Sequence, residues 1–401
     1  MPGPLAGVRI LDMTTVVMGP FATQILADLG ADVIKIESRE GDNMRHVGPF
    51  RNPGMGHIFL HAGRGKRSLV LDLKAPEGRE ALLRLAARAD VLVYNVRPQA
   101  MARLGLAYED VKQANPNIIY VGAYGYGQRG LYAAKPAYDD LMQGAGGVPA
   151  LFREQGNPTP RYAPVTLVDR LTGLHVVYSV SAALFHRERT GRGQSVEVPM
   201  FESVVQFVLG DHMGGETFDP PLGPPGYARL LAEHRRPYAT KDGHVCVLIY
   251  NDKQWKSFFA AIGDPEKLQR DPRFSTHSNR AANIGEVYAY VADVMATRTT
   301  AEWLALFEAA DIPAAPMNTM ADLLAHPHLE SVGFFEWEQH PTEGRIRRMG
   351  VPTSWSDSPP KPGGHAPHLG ENSREVLREA GYSDVEVDVM LAKGITAEPG
   401  R

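Results

Sequence analysis

The chain of 401 residues has a single cysteine, Cys246, and this scarcity excludes a disulfide framework and a cysteine-rich metal site. It has no excess of basic residues either. The 42 lysines and arginines stand against 46 aspartates and glutamates, which argues against general nucleic-acid binding. No stretch approaches the roughly 18 consecutive apolar residues that a membrane helix needs. Arg9 and Asp12 interrupt the first apolar stretch, unlike a signal peptide. We therefore expect a soluble, cytoplasmic protein.

Several motifs that indicate a particular chemistry are also missing. After the first predicted strand the chain runs through Thr14–Pro20 without a G-x-G-x-x-G, so a dinucleotide pyrophosphate has no glycine-rich cradle. The phrase Gly63–Ser68 precedes a strand, whereas a P-loop follows one. No H-E-x-x-H occurs, and His57 and His61 lack a third ligand nearby, so we expect no metal site. The absence of G-x-S-x-G weakens the case for an acyl hydrolase.

The sequence is rich in glycine (40 residues) and proline (31 residues). Predicted strands alternate with predicted helices between these turn-forming residues. Apolar runs rich in branched residues predict strands at Val8–Met13 and Asp32–Glu37, with a helix at Pro20–Leu29 between them. Further strands are predicted at Ser68–Leu73, Asp90–Val96, Asn117–Ala123 and Ser195–Met200, and further helices at Pro76–Ala89, Leu171–His186 and Phe201–Leu209. This alternation predicts an α/β fold with a Rossmann-like open parallel sheet and helices on both faces.

Two segments rich in proline and glycine divide the chain, Gly214–Pro237 and Pro341–His368. They predict a large α/β domain over residues 1–212, a linker over 213–237 and a smaller α+β domain over 238–325. A returning linker over 326–368 then leads to C-terminal helices over 369–401, which we expect to return to the large domain.

Two groups of cations flank predicted strands: Arg64, Lys66 and Arg67 precede one strand, and Arg97 and Arg103 follow another. Ligands of open α/β sheets dock beyond the carboxyl ends of the strands, where several cations would hold phosphates or carboxylates. The ordinary alternative is that these cations form only a solvated charged surface. Charge alone does not decide between a ligand site and such a surface.

One acid, Asp169, lies in the apolar segment Val165–Gly173, near the predicted start of a helix. Its ordinary role there is that of a helix N-cap or a first-turn acid. The local pattern therefore does not by itself make Asp169 a catalytic residue.

A series of short motifs runs in order along nearly the whole chain: Pro20–Glu37, Gly41-Asp42, Arg45, Gly65–Lys74, Ala89–Pro98, Arg103–Gly105, Asn115-Pro116, Gly125–Gly127, Asp169–Gly173, Arg189–Gln194, Tyr238–Gly243 and Ala366–Gly370. Together they resemble the family III CoA-transferases, a superfamily that also includes the α-methylacyl-CoA racemases. The resemblance implies a CoA thioester as substrate, a free carboxylic acid as the other substrate, and no permanently bound cofactor. It also implies an interlocked homodimer, in which the large domain of one chain and the small domain of the other form each active site.

The resemblance assigns roles to individual residues. Asp169 matches the nucleophilic aspartate of the family. The residues implied to bind CoA are Val16, Val17, Arg39, Lys66, Arg67, Asn95, Val96, Arg97, Arg103, Tyr138 and Asp139. Arg39 is included because Ser38 stands where some relatives carry an arginine against the adenine. The glycine-rich flap of formyl-CoA transferases is not evident in Tyr238–Asn251, which counts against oxalate as a substrate.

The implied reaction moves CoA from an acyl-CoA donor, with succinyl-CoA expected, to a dicarboxylate or hydroxy acid. It proceeds through an Asp169 mixed anhydride and an aspartyl-CoA thioester. Backbone N–H groups of Gly144–Gly147 or of the small domain are candidates for stabilising the oxyanion. Arg129, Arg161, His234 and Arg235 are candidates for holding a second carboxylate, and each has an ordinary surface charge as its alternative.

Two other functions remain as alternatives. An α-methylacyl-CoA racemase needs two acid–base groups, and its histidine lies in a Gly-His-Asp phrase. The matching position here is Ala137-Tyr138-Asp139, which favours the transferase. A nucleotide-binding oxidoreductase could use the same sheet, but the missing glycine fingerprint counts against it.

Overall fold

The computed structural model describes residues 2–400. Over these residues the strands are β1 (Arg9–Met13), β2 (Asp32–Glu37), β3 (Lys66–Val70), β4 (Val91–Tyr94), β5 (Ile119–Tyr124), β6 (Ser195–Pro199), β7 (Tyr238–Ala239), β8 (His244–Val247), β9 (Ala314–Pro316), β10 (Phe335–His340) and β11 (Gly344–Met349). The α-helices are α1 (Met18–Asp28), α2 (His57–Ala62), α3 (Pro76–Ala86), α4 (Pro98–Arg103), α5 (Tyr108–Ala114), α6 (Asp139–Ala145), α7 (Val148–Glu154), α8 (Leu167–Thr190), α9 (Met200–His212), α10 (Ala228–Leu231), α11 (Asp252–Ala261), α12 (Lys267–Arg270), α13 (Pro272–Ser275), α14 (His277–Ala282), α15 (Ile284–Met295), α16 (Thr300–Ala309), α17 (Met320–Leu324), α18 (Pro327–Ser331), α19 (Ser373–Glu379) and α20 (Asp384–Ala392). Within this range no helix combines the length and the apolarity that crossing a membrane requires.

The chain forms two compact units, and the first is built from three separate stretches. It comprises the chain up to Gly146, the segment Ala163–Gln206 and the chain from His328 onwards. The second unit comprises Gly147–Tyr162 and Phe207–Pro327.

A six-stranded parallel sheet with the order β3-β2-β1-β4-β5-β6 forms the centre of the first unit. Strand β1 is central, because Ile10 pairs with Val33 of β2 on one side and with Val91 of β4 on the other. Strands β1, β2, β4 and β5 are almost wholly buried, as expected for apolar strands covered on both faces. This order confirms the predicted α/β class and places a topological switch point between β1 and β4.

The helices that cover one part of this sheet come from both ends of the sequence. Helix α3 begins with Pro76 and carries Glu77 in its first turn, both favourable at a helix start. Its buried Leu82 belongs to the same core as Leu69 of β3, Leu377 of α19 and Met390 of α20. The C-terminal helices therefore complete a core that begins with the first strands.

The second unit combines a small antiparallel sheet, in the order β7-β8-β9, with a set of short helices. Its core is mainly aromatic and is formed by Trp255, Phe258, Phe274, Trp303 and Phe307, each at most 2% exposed. The large aromatic side chains supply much of the apolar area that a unit of this size must bury.

The observed elements depart from the predicted ones mainly in the irregular segments. The strand at Asp32–Glu37 has the predicted bounds, whereas the helix predicted at Leu171–His186 begins four residues earlier, at Leu167. The stretch 326–368, predicted to be a linker, contains the hairpin β10–β11 and belongs to the first unit from His328 onwards. The stretch 213–237, also predicted to be a linker, belongs to the second unit. Proline and glycine indicate irregular backbone, but packing decides which unit a segment joins.

Candidate active site

A cavity of about 430 Å³ lies in the first unit, at the carboxyl ends of β1, β4 and β5. Loops that follow these strands form its walls, and β1 and β4 meet at the switch point of the sheet. Ligands of open α/β sheets bind at this place, because the loops diverge there and leave a crevice. The lining residues are Thr15, Val16, Val17, Met18, Asn43, Asn95, Val96, Arg97, Pro98, Ala100, Arg103, Tyr124, Gly125, Ala133, Lys135, Pro136, Ala137, Tyr138, Asp169 and Met200.

The loop after β1 has an unusual backbone conformation at Val16, whose φ is +73°. A β-branched residue in this left-handed region is strained by roughly 1–3 kcal/mol. Hydrogen bonds hold the loop in place: Thr15 N–H donates to Asn95 Oδ1 at 3.0 Å, and Asn95 Nδ2 donates to the Thr15 carbonyl at 2.8 Å. Val16 N–H donates to Asp42 Oδ1 at 3.1 Å. The surrounding structure therefore fixes the strained loop from two sides.

Buried charges beneath the loop support it further. Lys35 Nζ donates to the Thr14 carbonyl at 2.8 Å and to Asp42 Oδ2 at 2.9 Å. Burial alone would raise the pKa of Asp12, but Lys66 and Lys35 hold it well below its usual value, so Asp12 is ionised. Such a network is worth most when every member is bonded, as here, and it leaves little freedom to the loop above it.

Asp169 lies in the first turn of α8 and reaches the cavity, although the residue is only 8% exposed. Burial and then the nearby charge of Asp139 raise its pKa to about 7, while Arg170 acts in the opposite direction.

Close packing of α8 on α1 brings Asp169 near the loop after β1. A Cβ atom at Gly173 would lie 2.9 Å from the Met18 carbonyl oxygen, so only glycine allows this approach.

Asp139 fixes the start of α8 from outside the helix. Its Oδ1 accepts the backbone N–H groups of Val168 at 2.8 Å and of Asp169 at 3.0 Å. Gln143, one turn further along α6, donates through Nε2 to Asp139 Oδ2 at 2.7 Å. Asp139 thus satisfies N–H groups that have no partner within α8 and holds the backbone of Asp169.

The structure brings most of the predicted site residues together. Eight of them line the one cavity: Val16, Val17, Asn95, Val96, Arg97, Arg103, Tyr138 and Asp169. The predicted cations Arg97 and Arg103 are exposed at its wall. Lys135 is a third cation of the cavity, and the sequence did not predict it because it lies in an irregular segment without periodicity.

Two predicted CoA-binding cations are placed elsewhere, because they begin β3 and the cavity lies at the carboxyl ends of the strands. Lys66 is buried and donates through Nζ to Asp12 Oδ2 at 2.9 Å, so it stabilises the interior. Arg67 forms ion pairs with Asp32 and Glu379, both at 2.7 Å. The structure therefore gives both residues structural partners and does not support direct contact with CoA.

Two further predicted residues do not line the cavity. Arg39 is exposed on a different surface, beside Arg374 and close to Gly394. Asp139 is buried beneath the start of α8, where it bonds to backbone N–H groups. Its structural role is to hold Asp169, and this correction follows from the long-range contact between α6 and α8. The Gly144–Gly147 segment, a candidate for stabilising the oxyanion, is also absent from the cavity lining.

Comparisons with known proteins agree with this architecture. The sequence model of CoA-transferase family III matches residues 5–373. A succinyl-CoA:mesaconate CoA-transferase of Haloarcula hispanica is 33% identical over 392 residues, which cover 94% of this chain and 97% of that protein. A succinyl-CoA:glutarate CoA-transferase of Mus musculus is 32% identical over 398 residues, which cover 98% and 90%. The crystal structure of a CaiB/BaiF family protein from Brucella suis is 32% identical, covers 95% of this chain and 100% of that one, and superposes with a TM-score of 0.80.

Proposed function

The chain belongs to CoA-transferase family III and is a CoA-transferase, and from this premise we propose that it moves CoA from succinyl-CoA to a free dicarboxylic acid, with Asp169 as nucleophile. The observation that carries the proposal is the placement of this carboxyl group in the crevice at the switch point, where Arg97 and Arg103 also lie. The named substrates of the two relatives, which are succinyl-CoA together with mesaconate or glutarate, support the choice of donor and acceptor.

In the first half of the proposed reaction, an Asp169 oxygen attacks the thioester carbonyl of succinyl-CoA. The C–S bond breaks, which leaves a mixed anhydride between succinate and Asp169 and a CoA thiolate. The thiolate then attacks the Asp169 carbonyl carbon, so that succinate leaves and an aspartyl-CoA thioester remains. The acceptor carboxylate repeats the two steps in reverse and leaves as its CoA thioester, which restores the Asp169 carboxylate. A covalent intermediate of this kind divides one difficult exchange into easier steps.

The cavity provides groups suited to each part of the substrate. Arg97, Arg103 and Lys135 are suited to the phosphates of CoA, because charge-assisted hydrogen bonds to phosphate are strong. The first turn of α1, which begins at Met18, has backbone N–H groups without partners in the helix and the positive end of the helix dipole. We assign oxyanion stabilisation to these N–H groups in place of Gly144–Gly147. CoA enters and leaves as part of the substrates, so the proposed reaction uses no resident cofactor.

The raised pKa of Asp169 is compatible with this role. At neutral pH a substantial fraction of the carboxyl is ionised, and the same burial that raises its pKa to about 7 keeps water from the anhydride. We also retain the expectation that two chains form an interlocked homodimer, whose test is given in the Discussion.

The decisive experiment combines product analysis with trapping of the intermediate. The protein is incubated with succinyl-CoA and glutarate, mesaconate or butyrate, and new CoA thioesters are detected by mass spectrometry. We expect transfer to the two dicarboxylates and little to the monocarboxylate. A borohydride quench during turnover should reduce acylated Asp169 to the alcohol, which the mass of its peptide reveals. Replacing Asp169 with Ala should abolish transfer while leaving the fold intact, and retention of a tenth of the activity would reject Asp169 as nucleophile.

A further inference from the structure

A second cavity, of about 310 Å³, lies wholly within the second unit and has one charged wall. Arg229, Arg235 and Arg236 form the charged wall. An apolar and aromatic wall is formed by Val247, Leu248, Ile249, Trp255, Tyr288 and Val291. No described aspartate or glutamate lines the cavity, so its side chains give it a positive charge.

The segment that carries these arginines is fixed. Gln155 Nε2 donates to the carbonyl oxygen of Leu230 at 3.2 Å and to that of Arg235 at 3.1 Å. The guanidinium carbon of Arg229 lies 5.5 Å from the centre of the Tyr250 ring. These contacts hold the charged wall without neutralising it.

One polar atom of the charged wall lacks a partner. Arg229 Nε is buried and makes no hydrogen bond within the described structure. A buried donor without an acceptor is costly, and an anion beside the arginines would offset part of this cost through its charge. Arginine offers its donors as a planar fork, which matches the two oxygens of a carboxylate or of a phosphate.

The apolar wall decides between these two anions. An inorganic phosphate would leave the six apolar and aromatic side chains against water, whereas the carbon chain of an organic acid would cover them. The volume is at the lower end of the range of small-molecule sites, which suits a compact acid. We propose that this arginine cavity binds a small organic acid, with its carboxylate on the arginines and its carbon chain against the apolar wall.

Calorimetric titration of the full-length protein tests the site, with glutarate, its neutral diamide and inorganic phosphate as ligands. Only this choice of probe rests on the proposed function. Because the proposed function also places glutarate in the Asp169 cavity, the titration is compared across variants. The double variant Arg235→Gln/Arg236→Gln should weaken glutarate binding about tenfold or more, because two charge-assisted contacts are lost. The control Lys253→Gln removes an exposed cation of the same unit and should leave binding unchanged.

The outcomes separate this site from the catalytic proposal. Glutarate binding that survives Asp169→Ala and Arg97→Gln but is lost in the double variant supports the arginine cavity, whether or not CoA transfer occurs. Equal affinity in the wild type and the double variant, with melting temperatures that show both to be folded, would overturn it. Binding of the diamide or of phosphate as tight as that of glutarate would also overturn it, since it would remove the need for a carboxylate or for the carbon chain.

Discussion

Asp139 and Asp169 are 30 residues apart in the sequence, yet Asp139 acts on Asp169 in two ways. It accepts the backbone N–H of Asp169 and thereby fixes the start of α8. Its charge also adds to burial in raising the pKa of Asp169. An Asn at position 139 would keep an oxygen for the N–H groups and lose the charge, at the cost of the hydrogen bond that Oδ2 accepts from Gln143.

We therefore expect Asp139→Asn to shift the pH profile of kcat/KM. Attack requires ionised Asp169, so a pKa raised to about 7 keeps activity low in mild acid and lets it rise as the pH passes neutrality. Removing the Asp139 charge should lower the midpoint by roughly one pH unit. The midpoint is measured from initial rates with succinyl-CoA between pH 5 and 9. Asp140→Asn, which removes a lesser contributor, should give a smaller shift, and an unchanged midpoint in Asp139→Asn would contradict the assignment.

Val16 provides a second test at the scale of one residue. Because its φ is +73°, glycine suits this position better than alanine does. We expect the Val16→Gly variant to be more stable than Val16→Ala by roughly 1 kcal/mol, the reverse of the usual order. Urea unfolding of both variants measures the difference. The same pair of substitutions at Val389, an exposed residue inside α20, is the control and should give alanine as the more stable residue.

At the scale of elements, the position of a cation along its strand decides its role. Arg67 lies near the beginning of β3 and pairs with Glu379 of α19, whereas Arg97 follows the carboxyl end of β4 and lines the cavity. The sequence showed both cations beside strands, but the sheet geometry gives only the second one access to the crevice.

The variants Arg67→Gln and Arg97→Gln should consequently have opposite effects. Losing Arg67 breaks a partly buried network and should cost about 1–3 kcal/mol of unfolding free energy without changing the KM for succinyl-CoA. Losing Arg97 should raise that KM roughly tenfold to a hundredfold and leave stability nearly unchanged, because the proposed contact of this exposed side chain to phosphate is lost. Thermal melts and steady-state kinetics measure both properties. If Arg67→Gln raised the KM for succinyl-CoA and left the stability unchanged, Arg67 would have to be assigned to the substrate site after all.

The elements that the sequence predicted well are those that local pattern determines. The run Asp32–Glu37 is apolar with branched residues, and β2 has these bounds. The start of α8 at Leu167 was not predictable, because its N–H groups are satisfied by Asp139 from about thirty residues upstream. Likewise, Lys66 could not be assigned to the interior before its partner Asp12 was known to lie two strands away.

At the scale of the whole molecule, α8 presents an apolar face that the described chain leaves uncovered. Leu174, Tyr178 and Phe185 are 50%, 58% and 63% exposed on this helix. Large exposed apolar side chains that recur along one helix are typical of a surface that binds another protein. This observation supports the proposed homodimer.

Light scattering should therefore give the wild-type protein a mass of about twice 43.9 kDa. The double variant Leu174→Glu/Phe185→Glu should shift the mass to that of one chain, because charges replace the apolar contacts. His186→Glu, an exposed change on the same helix, is the control and should keep the wild-type mass. A monomeric wild type would rule out the homodimer.

The first unit is formed by three separate stretches of the chain, and this affects the order in which the two units fold during synthesis. Leu69 and Leu82 emerge from the ribosome before the second unit, yet their core is completed by Leu377 and Met390, which emerge after it. The second unit, which ends at Pro327, has its whole sequence available before that. Since domains generally fold as units during synthesis, we expect the six strands of the sheet and helix α3 to expose Leu69 and Leu82 until α19 and α20 follow the second unit. We therefore expect the second unit to complete its fold first, although those six strands precede most of it.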